Sequence, residues 1–296
     1  MSETPARGGP VAARSDVPQA GFSAVLPTYN RAAALRENLP CFLELDGLAE
    51  LIVVDDSSSD DSPDLLSSVQ DPRLRVIRHA RNMGSPTARR TGINSARSDW
   101  ILMLEDDCRV PSDYGRVLHE VASRTGADVV GAPWVHAPAE RLQQEVESRR
   151  AHAVAKVGLR SSPGTFPRNT IRTPFLPALV LARRKVFQVA EYGVEYRGNA
   201  WREETAFFIR ASEAGLTCVL TPETYSYQID EWGGGQRRSR LAYEAWVLRN
   251  NWLFLRAHGA YLRQQGYIRS ATLEQLALLG SRVTRAIAGY LRRLGR

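Results

Sequence analysis

Apolar residues gather in this chain into short unbroken runs, and between those runs they recur at spacings of three and four. The first pattern marks strands and the second marks helices. Residues 22–26, 51–54, 73–77 and 100–104 read as strands. The last of these, Trp100-Ile101-Leu102-Met103-Leu104, is apolar throughout, as a strand covered on both faces of a mainly parallel sheet must be. Residues 32–45 and 86–95 carry helical spacing. Asn30 is placed to cap the first helix, and Asp60 the helix that follows the second strand. Alternation of this kind implies right-handed crossovers and a doubly wound α/β sheet.

The later chain is less regular. Residues 131–138 read as a strand and loop, with Trp134 and His136 facing core or cleft. Residues 141–172 read as a helix followed by a mobile loop or a plain linker, and 177–182 as a strand running into Arg183-Arg184-Lys185. An edge strand is expected at 217–220. A helix at 241–258 is expected to pack on the main domain through Trp246, Trp252 and Phe254. Over 273–294, Leu276, Val283, Ile287, Leu291 and Leu294 interleave with Arg282, Arg285, Arg292 and Arg293, and Arg296 follows. Such a basic amphipathic helix suits packing on its own domain, peripheral contact with an anionic membrane, or a homodimer. The expected organisation is a disordered tail at 1–20, a main domain at 21–230 and a helical C-terminal extension at 231–296.

Composition narrows the partners. The formal charge of +7 points to anionic ligands, whereas the chain has no Lys/Arg-rich run and no nucleic-acid-binding motif, so nucleic acid is not expected. Cys41, Cys108 and Cys218 lack paired or metal-type spacing and read as small core residues of a reduced, cytoplasmic protein. Neither an apolar leader nor a run long enough to cross a bilayer is present in the sequence.

Candidate chemistry sits at the strand ends. Glu105-Asp106-Asp107 closes the fourth strand, at the edge where open α/β sheets bind ligands. Three adjacent carboxylates repel one another unless a cation neutralises them, so the triplet is either a solvated acidic turn or a cation site. Oxygen ligands suit Mg2+ or Mn2+, and since no His or Cys is expected to join the triplet, zinc is not.

Val25-Leu26-Pro27-Thr28-Tyr29-Asn30-Arg31, Val53-Val54-Asp55-Asp56-Ser57-Ser58, Arg81-Asn82-Met83-Gly84 and Leu104-Glu105-Asp106-Asp107 together resemble the ordered motifs of family 2 glycosyltransferases. The resemblance runs from about 22 to 227. It implies a GT-A (Rossmann-like) α/β fold, a mainly parallel sheet flanked by helices. It further implies an inverting, usually metal-dependent enzyme that takes a sugar from a nucleotide donor, with a UDP-sugar favoured. On that resemblance Pro27, Thr28 and Tyr29 line the nucleotide base, Arg31 belongs to the same nucleotide-sugar site, and Asp55 accepts an N–H from the base. Asp55 or Asp56 is otherwise a helix cap. Arg81 and Arg89 offer planar donors to a pyrophosphate, unless Arg89 belongs to a solvated helix face. Asp107 ligates the Mg2+ or Mn2+ ion, Asp106 meets ribose or sugar, and Glu105 stands where an Asp is commoner.

Glu203-Glu204 resembles the family's acidic motif ahead of an apolar helix. Glu204 takes the register of the catalytic base, with Glu203 the second candidate, and either also suits a helix start through the macrodipole. Near Gln228, where many relatives carry a His, this chain has none. Gly233-Gly234-Gly235 with Gln236 and Arg237 reads as a phosphate-contacting loop or a hinge. The acceptor is open between small molecule, glycan, lipid and peptide. A nucleotidyltransferase would need a Gly-rich loop after the first strand, which 27–31 lacks. A non-catalytic nucleotide-sugar-binding protein is the other alternative.

Overall fold

The computed structural model describes residues 21–228 and 239–294. The expected tail at 1–20, the Gly233–Gly235 reading and the side chains of Arg285, Ile287, Leu291, Arg292, Arg293, Leu294 and Arg296 lie outside the described residues.

Ten strands are present among them: β1 (Phe22–Thr28), β2 (Leu48–Asp55), β3 (Leu74–Arg78), β4 (Trp100–Met103), β5 (Val129–Gly131), β6 (Trp134–His136), β7 (Ile171–Arg172), β8 (Val180–Arg183), β9 (Cys218–Leu220) and β10 (Ser226–Gln228). The helices are α1 (Ala32–Leu43), α2 (Ser62–Ser68), α3 (Ser85–Ser95), α4 (Tyr114–Thr125), α5 (Leu142–Ala151), α6 (Val186–Val189), α7 (Glu203–Glu213), α8 (Arg240–Gln264) and α9 (Ala271–Leu294). Eight strands form one sheet in the order β3-β2-β1-β4-β8-β5-β9-β7, and β6 pairs with β10 beside it. Neighbours from β3 to β4 are parallel, and β8 runs antiparallel to both β4 and β5. The sheet is therefore mainly parallel, with helices on both faces, as the apolar runs predict.

Period-two alternation sends successive strand residues to opposite faces. Ala24, Leu26, Leu51 and Val53 meet Leu35, Leu39, Phe42 and Leu118 on one side. Val25, Ile52 and Val54 meet Ala88, Ile93, Phe207 and Phe208 on the other. The second layer leaves no spare room at Gly92, where an added Cβ would lie 2.4 Å from Val25 Cγ1. Gly92→Ala is therefore expected to destabilise the fold by about 1–3 kcal/mol, the usual cost of overpacking a filled core. Urea unfolding checks this, and an unchanged midpoint would contradict it.

Three local expectations are corrected. Asn30 does not cap α1: with φ 53° it accepts the Ser59 N–H, and the N-cap position falls instead on Arg31, whose side chain makes no capping bond. The orphan amides are taken by Asp60, whose carboxylate accepts from Ala32 N at 2.8 Å and from Ser62 N at 3.0 Å, serving α1 and α2 together. β9 is not an edge strand, because β7 pairs beyond it. Trp252 stands outward and exposed, while Phe254 is fully buried against α7.

The C-terminal helices belong to the same body. Phe254, Leu255 and Leu262 of α8 share a core with Ala206 and Ile209 of α7. α9 lies along α8, held by Asn251 to Gln275 and by Arg282 to Glu244, and Arg160 clasps Glu274 through two hydrogen bonds of 2.8 and 2.9 Å. Leu273, Leu276, Leu279 and Val283 of α9 are exposed. Among the described residues no helix is long and apolar enough to cross a membrane.

Candidate active site

β1, β2 and β4 all end on one edge of the sheet, and the turns that leave them converge there. Leu104 N–H extends the pairing to Val25 O, and the chain turns at Glu105. Thr28 Oγ donates to Asp106 Oδ2 at 2.7 Å, joining the ends of β1 and β4. From beneath, buried Asn38 on α1 donates to the Asp106 carbonyl at 2.8 Å while its own oxygen accepts from Arg109 Nε at 2.6 Å. Asn38 is a site residue that sequence reasoning misses. Its one signal is a polar residue on the otherwise apolar stripe of Leu35, Leu39 and Phe42.

The acids do not stand alone. Arg31 approaches Asp107 at 3.7 Å and Asp106 at 4.0 Å. Arg89 is no solvated helix residue: it is buried, and its guanidinium meets Glu105 at 3.0 Å, Glu204 at 3.3 Å and Glu203 at 3.4 Å, with its carbon 4.9 Å from the Tyr192 ring centre. Burial opposes the charge on Arg89, but Glu204 and Glu203 outweigh it and hold the guanidinium firmly protonated. Burial, reinforced by Glu204, lifts the Glu105 carboxyl well above its ordinary range. Burial and Asp107 lift Asp106 to about 7, and burial lifts Glu203 to about 7 against the pull of Arg89.

Cys108 does join the cluster, contrary to expectation. Its sulfur lies 3.6 Å from Asp107 Oδ1 and 3.8 Å from Glu105 Oε2. The three side chains bring one potential ligand atom each within 4.8 Å of one another. Burial, Glu105 and Asp107 push the Cys108 thiol up, so it stays an S–H donor to the carboxylates. The remaining oxygen pair suits a hard cation such as Mg2+ or Mn2+.

Two cavities flank this turn. One, of about 550 Å3, runs along the sheet edge and is lined by Pro27, Thr28, Tyr29, Arg31, Asp56, Arg89, Glu105, Asp106, Asp107 and Glu203. The other, of about 780 Å3, lies between the acidic turn, the 157–163 loop and α9, and Glu204 lines it. Glu105 and Ala200 line both. The start of α7 is brought to this junction by a backbone in which Ala200 (φ 53°) and Arg202 (φ 74°) are left-handed, a strain that only a constrained site retains.

Two predicted residues stand apart. Arg81 is exposed and lines neither cavity. Asp55 is buried behind the sheet-edge cavity, where one oxygen accepts from Ser58 N and the other faces Arg78 at 3.5 Å without a hydrogen bond. Asp56 caps no helix. It accepts the amides of Met83 and Gly84 and contacts His79, fixing the loop before α3.

A mainly parallel sheet with acidic turns at its carboxyl edge and a carboxylate-bearing helix facing them is the arrangement that the resemblance to GT-A glycosyltransferases implies. The profile described as Glycosyl transferase family 2 matches residues 23–189, and the chain belongs to that family. Among its relatives, the succinoglycan biosynthesis protein ExoO of Rhizobium meliloti (strain 1021) is 38% identical over 114 residues, 38% of this chain and 32% of its own length. An undecaprenyl-phosphate 4-deoxy-4-formamido-L-arabinose transferase of Yersinia enterocolitica is 31% identical over 155 residues, 49% of this chain and 46% of its own. These matches thus span less than half the length of either relative. Among solved structures, S. aureus TarS superposes with a TM-score of 0.57 at 16% identity, over 79% of this chain and 39% of that one. A shorter TarS chain in complex with UDP gives 0.52 at 18% identity, over 79% and 65%. These likenesses establish the fold.

Proposed function

We propose that the chain transfers a sugar from a UDP-sugar to an acceptor with inversion at the anomeric carbon. The sheet-edge cavity takes the donor and the larger cavity takes the acceptor. The observation that carries this reading is Arg89: one buried guanidinium ties the acidic turn of the first cavity to Glu204 in the second. Donor-side and acceptor-side carboxylates are thereby held at a fixed separation, as an in-line displacement needs. The TarS likeness supports UDP as the nucleotide, since that fold has been solved with UDP and with UDP-GlcNAc bound.

In this reading Pro27, Thr28 and Tyr29 line the base, and Asp55 accepts its N–H in exchange for the contact of its second oxygen with Arg78. Arg31 swings from Asp106 and Asp107 to the diphosphate. Glu105 and Asp107 would hold Mg2+ or Mn2+, which when bound offsets the charge gathering on the departing diphosphate. Glu204 takes the proton from the acceptor as its oxygen bonds the anomeric carbon and the bond to phosphate breaks. Arg89, rather than contacting pyrophosphate, positions Glu105, Glu203 and Glu204. The three cysteines form no disulfide, and a reduced cytoplasmic setting suits them.

Calorimetric titration with UDP in the presence of Mn2+ tests the donor site. Asp106 and Glu203 lie near pH 7, Glu105 higher, and a dication favours their ionised forms. The empty site must therefore release protons on binding, and affinity is expected to strengthen from pH 6 to pH 8. No binding of UDP with Mn2+ at pH 8, or affinity that weakens over that interval, would defeat the reading.

A further inference from the structure

The larger cavity contains more cationic and donor groups than a proton-removing carboxylate alone requires. Beyond Glu204 it is lined by Trp201, Arg202, Arg160, Glu274 and Arg282. Arg160 and Glu274 neutralise each other. Arg282 reaches Glu244, which does not line the cavity, through Nη1 alone; its buried Nε has no hydrogen-bond partner. The Trp201 indole N–H is likewise buried without a partner. Both guanidinium carbons lie over the Trp201 ring, Arg282 at 5.0 Å and Arg202 at 5.6 Å from its centre.

Arg202 is the residue least compensated. It donates only to neutral oxygens, Asn251 Oδ1 at 2.9 Å and the Leu159 carbonyl at 3.3 Å, and among the described residues no carboxylate lies within 4.0 Å of it. Burial pushes it down to about 10, with Glu274 and Tyr196 only partly restoring it. A desolvated cation without a counter-charge is costly, and a bound anion removes the cost. Arg202 and Arg282 thus place two guanidinium groups on the lining of one cavity, beside the Trp201 ring, a charge balance that suits an anion.

Resting on the acceptor reading above, we propose that Trp201, Arg202 and Arg282 form an anion subsite in the acceptor cavity. The acceptor is accordingly an anionic molecule, bearing a phosphate ester or carboxylate besides the hydroxyl that attacks. α9 supplies Arg282, so the C-terminal helix is part of the acceptor site and not merely a support. An anionic acceptor offsets the uncompensated charge of Arg202, which discriminates against neutral analogues that leave it without a counter-charge.

The test uses the full chain saturated with UDP and Mn2+, so that the donor cavity is filled. It is titrated calorimetrically with glycerol 3-phosphate, glycerate and glycerol. Glycerol 3-phosphate, glycerate or both are expected to bind, and glycerol is not. Arg282→Gln and Arg202→Gln are each expected to weaken the anion at least tenfold, with UDP affinity unchanged in both. Binding of glycerol 3-phosphate alone assigns a phosphate site, and binding of both anions assigns a general oxyanion site. UDP binding without anion binding, or anion affinity equal in wild type and both variants, overturns the subsite and leaves the donor reading standing. Failure of UDP itself to bind overturns the donor reading and the subsite with it.

Discussion

Glu204→Gln is expected to bind UDP as tightly as the wild type and to lose transfer by roughly a hundredfold to ten-thousandfold, the range a positioned general base contributes. The substitution keeps the shape of the side chain and its contact with Arg89, which then meets an amide oxygen in place of a carboxylate. What disappears is the capacity to accept the acceptor's proton. Glu204 is the better base of the adjacent pair for a geometric reason. It lines the larger cavity, the proposed acceptor side, and is about a third exposed, whereas Glu203 is 1% exposed and turned to Arg89 and the sheet edge. Glu203→Gln is expected to change donor affinity and stability more than the chemical step. Product formation followed under saturating donor decides the matter, and near-normal turnover in Glu204→Gln would move the base elsewhere.

Asp107→Asn should have the second large effect, and in the opposite balance. Donor binding should lose its dependence on Mn2+, and turnover should fall by about a thousandfold if several kcal/mol of charge stabilisation are lost at about 1.4 kcal/mol per decade. The empty protein should not suffer. Asp107 raises the proton affinity of both Asp106 and Glu105 by repulsion, so removing its charge relieves the cluster. A melting temperature equal to or above the wild type, combined with a metal-blind and nearly inactive enzyme, is the expected signature. UDP binding that still responds to Mn2+ would remove Asp107 from the ligand set.

The strands that carry the site are legible in the sequence because each is a continuous apolar run ending in polar residues. β1, β2 and β4 therefore appear with their acidic or Thr/Asn turns already attached. Local spacing says nothing about which strands become neighbours in the sheet, so β9 reads as an edge strand and the reversal of β8 is invisible. Asn30 and Asp60 show a related limit: adjacency suggests a cap, whereas the carboxylate serving α1 comes from 28 residues further along. Cys108 is easily passed over because its neighbours in the cluster, Glu105 and Asp107, do not match a thiol-metal spacing. Arg89 looks like a surface residue because its three carboxylate partners lie up to 115 positions away. The larger cavity is illegible for the same reason, being assembled from 157–163, 175–179, 199–205 and α9.

The antiparallel junction of β4 with β8 divides the sheet into unlike halves. The parallel strands before it, with the turns they carry, supply most of the sheet-edge cavity. The chain after it supplies most of the larger one. On the proposed assignment of the two cavities, substitutions, insertions or exchanges of segments beyond the junction reshape the acceptor side and leave the donor side as it is.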